Sequence, residues 1–132
     1  MSDSDVVPSG YASTLFDLND RVAVVTGGGS GLGAAIAIGY AQVGVKVAFL
    51  DVNSEGMLET ESIINSQGGV VKSFRCDVTS KKDLTSTSLE ILKSFSRVDI
   101  LVNSAGTAFR CPAEDFPEDK LDFILNLNLK GT

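Results

Sequence analysis

Short apolar or β-branched runs that alternate with longer segments of helical period predict an α/β fold, a doubly wound parallel sheet with helices on both faces. Two further observations point the same way: a glycine-rich stretch lies directly between the first such run and the first helical segment, and an aspartate ends the second run. The 132 residues, 43% hydrophobic and 21% charged, suffice for one packed domain and not for two.

The elements follow in order. Residues 1–14 (MSDSDVVPSGYAST) mix Ser, Asp, Pro and Gly without a period and are expected to form a disordered or loosely attached tail, with 15–132 as the domain. Strands are expected at Val22 to Val25, Val45 to Leu50, Val70 to Phe74 and Ile100 to Val102. In the first helical segment Leu32, Ile36, Gly39, Tyr40 and Val43 share one face of a 3.6-residue period, which predicts that this face is buried, and Gly44 closes the helix. A second helix runs from about Ser54 to Ser66, opened by Asn53 or Ser54 and ended by Gln67-Gly68-Gly69. A third places Leu84, Ser88, Ile91 and Phe95 on one stripe, with Ser80 and Asp83 spaced like a capping box. The fourth begins near Pro117, groups Leu121, Ile124, Leu125 and Asn128, and is still helical in pattern at Thr132.

Composition removes several classes of function. With no His, Ser-His-Asp and Cys-His nucleophile systems and the commonest zinc ligand are excluded. Seventeen acidic against eleven basic side chains give a net charge of −6, which repels a nucleic-acid backbone. Cys76 and Cys111 form no C-x-x-C pair, so no metal site is expected and both thiols should be free, as in a reducing compartment. Asp3, Asp5, Asp17 and Asp20 precede the first basic residue, Arg21, unlike a signal or transit peptide. No apolar run approaches the roughly eighteen residues of a membrane span. A cytoplasmic protein without membrane or nucleic-acid partners is expected.

The chemistry concentrates in Thr26-Gly27-Gly28-Gly29-Ser30-Gly31-Leu32-Gly33. A glycine loop between a strand and a helix lets the backbone approach a phosphate, and the helix N-terminus adds unpaired N–H groups and partial positive charge. Gly27, Ser30, Gly31, Leu32 and Gly33 are therefore candidate cofactor-binding residues. A triphosphatase loop is excluded because Gly33 is followed by Ala34-Ala35 and no lysine, and no choice of glycines gives G-x-G-x-x-G. What stands here is T-G-x-x-x-G-x-G. Asp51 follows Gly31 by 20 residues, where a carboxylate can accept hydrogen bonds from an adenosine ribose diol. Its charge would repel a 2′-phosphate, and neither Val52 nor Ser30 supplies a cation. NAD is expected over NADP.

These residues resemble the first half of the short-chain dehydrogenase/reductase family, whose remaining markers also occur here in order. Cys76-Asp77-Val78-Thr79 looks like the family's D-V segment, which implies that Asp77 bonds the adenine amino group with Val78 beside it; alone, Asp77 reads equally as a turn or cap residue. Asn103-Ser104-Ala105-Gly106 is similar to the family's N-N-A-G, with Ser for the second Asn, and implies that Asn103, Ala105 and Gly106 line the cofactor cleft. Asn128-Leu129-Lys130-Gly131 resembles N-L-x-G, whose Asn is the first member of an Asn-Ser-Tyr-Lys catalytic tetrad. By itself Asn128 is an amide in an apolar stripe, the usual place of a satisfied buried polar group.

The resemblance implies a Rossmann-type sheet of order 3-2-1-4, an alcohol or carbonyl substrate, and a parent that is a homodimer or homotetramer. Leu15-Phe16-Asp17-Leu18 before the first strand looks like the opening of the family's sugar-acid and polyol dehydrogenases. The family's Tyr-x-x-x-Lys is absent, since Tyr11 is followed four residues on by Leu15 and Tyr40 by Gly44. The chain is thus expected to be a truncated, NAD-binding portion of an oxidoreductase, inactive alone, ending after the fourth strand and its helix. The alternatives are a non-catalytic dinucleotide-binding or interaction module and a methyltransferase using S-adenosylmethionine.

Overall fold

The computed structural model describes residues 10–132. Residues 1–9 of the expected tail lie outside the described residues; Tyr11–Leu15 (α1) forms one short helical turn. The alternation then appears as β1 (Val22–Thr26), α2 (Gly31–Gln42), β2 (Lys46–Asp51), α3 (Ser54–Ser66), β3 (Val71–Arg75), α4 (Lys81–Phe95) and β4 (Ile100–Asn103). A 3-10 turn (Ala113–Asp115) leads into α5 (Glu118–Leu125), which widens into a π turn (Asn126–Lys130).

The four strands are parallel and ordered β3-β2-β1-β4, as expected. Register pairs Thr26 with Leu50 and with Asn103, and Asp51 with Arg75, so all four strands end together and their following loops gather at one edge. That edge is where ligands bind in open α/β sheets. Every residue of β1 is buried, the continuous apolar run of a strand covered on both faces.

One face packs Val25, Val47 and Phe49 under α2 and α3, with Ala37, Ala41, Met57 and Ile64 closing the core. The other packs Val24, Ala48, Leu50 and Phe74 under α4 through Ile91 and Phe95. The face predicted for α2 is corrected by this packing. Gly33, Ala37 and Ala41 are the buried residues, while Leu32 is 79% exposed and Val43 54% exposed. A helix that must lie close to the sheet turns its smallest side chains inward, so Leu32, Ile36 and Val43 are exposed, while Tyr40 of the expected face and Ile38 beside it are half-buried at the edge of the core. On α4 the stripe holds at Ile91 and Phe95, but buried Thr87 joins it and Leu84 and Ser88 remain exposed.

Helix ends follow local chemistry. Gly44, with φ of +81°, ends α2 in a pair of bonds, Gly44 N–H to the Ala41 carbonyl and Val45 N–H to the Tyr40 carbonyl. Gly68 and Gly69 end α3 in the same way. Asn53, not Ser54, caps α3, its Oδ1 accepting Glu55 and Gly56 N–H. The Ser80 hydroxyl oxygen accepts Asp83 N–H, but the Asp83 carboxylate takes the Ser80 hydroxyl and Asp77 N–H instead of closing the box on Ser80 N–H. Among the described residues no helix is long and apolar enough to cross a membrane.

Candidate functional site

The loops at the carboxyl ends of the strands enclose a cleft of about 450 Å³, within the range of small-ligand sites. One wall is the glycine loop. A Cβ on Gly27 would lie 2.8 Å from Ala105 Cα, and one on Gly33 would lie 2.1 Å from the Gly27 carbonyl oxygen. Only glycine lets the β4 loop and the first turn of α2 close on this strand end together. Gly31, whose φ is +54°, has open space beside it instead.

Ser30 precedes α2 in an extended conformation, and its hydroxyl makes no capping bond. The N–H groups of Gly31, Leu32 and Gly33 come before the first bond of the helix, Ala34 N–H to the Ser30 carbonyl. Ser30, Gly31, Leu32 and Gly33 all line the cleft. The segment thus offers backbone donors and the positive end of a helix dipole, the features of an anion site.

Asp51 stands at the rim with both carboxylate oxygens engaged. Oδ2 accepts Gly29 N–H at 2.8 Å, and Oδ1 accepts Val52 N–H and Asn53 N–H at 2.8 and 2.9 Å. The carboxylate is therefore fixed in place before any ligand arrives. Farther along, Asp77 and Val78 line the cleft beside buried Cys76. Asp77 Oδ1 accepts the Thr79 hydroxyl at 2.7 Å and Thr79 N–H at 2.8 Å, and these bonds hold its carboxyl below the usual carboxylate range. Burial pushes the Cys76 thiol up, which leaves it a protonated, weak nucleophile.

Ala105 and Gly106 line the opposite wall with Ser104. Asn103 is not among the residues lining this cleft. It is the last residue of β4 and lines a separate groove beside α4, where Val24, Thr26 and Leu101 also lie. Asn128 stands just behind the cleft: Oδ1 accepts Thr107 N–H at 3.0 Å and Nδ2 donates to the Thr107 carbonyl at 2.8 Å. A Cβ on Gly106 would come 3.3 Å from Asn128 Oδ1. In this arrangement Asn128 clamps the loop after β4.

Sequence reading missed three contributors. Thr26 Oγ1 accepts both Ser104 N–H and Ala105 N–H at 3.1 Å, stitching the two walls together across 78 residues of chain, a role that its place at the head of the T-G-x-x-x-G-x-G motif did not reveal. Phe123 and Leu127 close the side of the cleft. Their only trace was an apolar pattern whose expected face, Leu121, Ile124 and Leu125, lay elsewhere on the helix.

The residues present fit a dinucleotide. A cradle without side chains abuts a helix N-terminus, a fixed carboxylate stands at the end of the second strand, and an apolar wall completes the cleft. A family model described as short chain dehydrogenase matches residues 21–132. The chain belongs to the short-chain dehydrogenase family. Within that family it is 40% identical over 117 residues to D-threitol dehydrogenase of Mycolicibacterium smegmatis, covering 89% of this chain and 45% of that protein. It is 33% identical over 122 residues to 2-dehydro-3-deoxy-D-gluconate 5-dehydrogenase of Bacillus subtilis, covering 92% of this chain and 47% of that one. Among solved structures, an NAD+-bound xylitol dehydrogenase superposes with a TM-score of 0.83 at 33% identity, over 86% of this chain and 44% of that one. A metagenomic short-chain oxidoreductase in complex with NADP gives 0.79 at 32% identity, over 87% and 52%. This short-chain dehydrogenase chain thus spans about half the length of the curated relatives it matches. The methyltransferase alternative falls with the family match.

Proposed function

We propose that this chain is the NAD-binding portion of an oxidoreductase that moves a hydride between NAD(H) and an alcohol or carbonyl group, with a polyol or sugar acid as the substrate class. The observation that carries the cofactor choice is the Asp51 carboxylate, held at the rim by three backbone N–H donors. An anion pinned there accepts the two hydroxyls of an adenosine ribose and opposes a 2′-phosphate. The glycine loop and the α2 N-terminus would receive the pyrophosphate, and Asp77 with Val78 would meet the adenine. Gly106 would lie toward the nicotinamide end, supported from behind by Asn128.

The substrate class rests on the relatives, a threitol and a gluconate-type dehydrogenase. Nicotinamide supplies the hydride acceptor or donor when bound; the residues here bind and orient it. Proton transfer needs a group that this chain does not carry as Tyr-x-x-x-Lys. A reducing, cytoplasmic setting fits two cysteines that are both free thiols.

The test is a thermal melt of the 132-residue chain with and without millimolar NAD or NADP. Ligand bound only by the folded state raises the transition, so NAD should raise it more than NADP. An equal shift, or none with either, would overturn the proposal.

A further inference from the structure

Gly56 lies in the first turn of α3, outside the cleft, in a helical position where alanine would ordinarily be favoured. Its surroundings give the reason. A Cβ built on Gly56 would come 2.2 Å from the Gly29 carbonyl oxygen, which is backbone and cannot rotate away. Gly29 is pinched from its other side as well, since a Cβ there would lie 2.9 Å from Asp51 Oδ2. Gly29 N–H donates to that same oxygen at 2.8 Å. Both glycines are buried. The third side of the contact is fixed by Asn53, whose side chain accepts Glu55 and Gly56 N–H while its own N–H donates to Asp51 Oδ1.

We propose that Gly56 is a positioning residue for dinucleotide selectivity: by lacking a side chain it seats Gly29 so that Gly29 N–H holds the Asp51 carboxylate at the cleft rim. This rests on the reading of Asp51 as the ribose-binding group. Adding a methyl at Gly56 drives the Gly29 carbonyl outward by on the order of 1 Å to reach ordinary contact distance. The loop segment turns with it, and the Gly29 N–H bond to Asp51 is lost. A carboxylate released from that bond meets the ribose diol less well and opposes a 2′-phosphate less. Selectivity falls while the phosphate cradle at Gly31 to Gly33 stays intact.

The experiment compares the 132-residue chain with Gly56→Ala by isothermal titration with NAD and with NADP, and by amide hydrogen exchange. Gly56→Ala should weaken NAD at least tenfold and NADP less than twofold. Gly29 N–H should exchange at least tenfold faster, while Val25 and Phe49 in the central strands keep their protection. A merely structural role would weaken both dinucleotides alike. Gly39→Ala, on the exposed face of α2 with open space beside it, should change neither affinity. If Gly56→Ala does not melt cooperatively, Gly29→Ala, which crowds Asp51 from the opposite side, is measured with the same expectations. An unchanged NAD-to-NADP ratio, or an unchanged Gly29 exchange rate with Gly39→Ala as reference, overturns the inference. If the wild-type chain binds neither dinucleotide, the ribose reading of Asp51 fails, whereas the exchange rates still decide whether Gly56 seats Gly29.

Discussion

Thr26 ends β1 with one hydroxyl oxygen accepting two backbone donors, Ser104 N–H and Ala105 N–H, from the far wall of the cleft. Thr26→Val keeps the shape and removes the acceptor. Two N–H groups at a strand end then lose their partner, at a cost of about 1–3 kcal/mol. The urea midpoint should fall accordingly, and Thr26→Ser should retain most of the stability; equal losses in the two variants would show that the methyl matters and the oxygen does not. Asp77 and Asp99 make a second residue-scale case. Thr79 lowers the first carboxyl, chiefly through its hydroxyl, and Arg97, followed by Val22 N–H, lowers the second. A carboxyl whose folded pKa lies below its unfolded value adds stability above the unfolded value, about 4. That contribution is lost as pH falls through the folded value. Melting temperature should therefore drop on the acid side of about pH 4, and Asp77→Asn or Asp99→Asn should flatten that limb while leaving the neutral side less stable. A limb of unchanged slope in both variants would contradict this.

The elements show which parts of the fold a sequence displays. Gly44, Gly68 and Asn53 end or begin their helices as expected, because each acts on backbone groups within a few residues of itself. The glycine loop and Asp51 were legible for a related reason, since spacing along a strand, turn and helix fixes their separation. The burial of α2 was not. Periodicity identified an apolar face but could not know that the sheet fully buries Gly33, Ala37 and Ala41 beneath that helix and leaves Tyr40 at the edge of the contact. Nor could it show that α5 widens into a π turn at Asn126, or that Asn103 lines the groove beside α4. Those depend on contacts between distant segments. The α2 arrangement predicts that Ala37→Leu, at a fully buried position, overpacks the helix–sheet contact by about 1–3 kcal/mol. Leu32→Ala, on the exposed side, should move folding stability by less than about 0.5 kcal/mol. Denaturant midpoints that ranked the two variants the other way would restore the face expected from the period.

At the scale of the whole molecule the sheet is unevenly protected. Its β3 edge is blunted: the Glu61 carboxylate accepts Ser73 N–H at 3.0 Å, and Lys72 and Arg75 place charge along the strand. The β4 edge carries Ile100, Leu101 and Val102, with Leu101 60% exposed. Beside it, between β4 and α4, lies an apolar groove of about 620 Å³. An uncharged edge next to exposed apolar surface is a template for pairing with another chain. This 132-residue chain should therefore associate in a concentration-dependent manner, and Leu101→Lys should reduce that association in sedimentation velocity runs. Because Leu101 is exposed, the substitution should cost little stability, within about 0.5 kcal/mol. Net charge makes the test demanding. The chain carries −6, and an added lysine brings it closer to neutrality, which by itself favours association. A fall in association against that trend would locate the contact at β4, whereas an unchanged or increased sedimentation coefficient would place it on another surface, with the exposed side of α2 the next to be mutated.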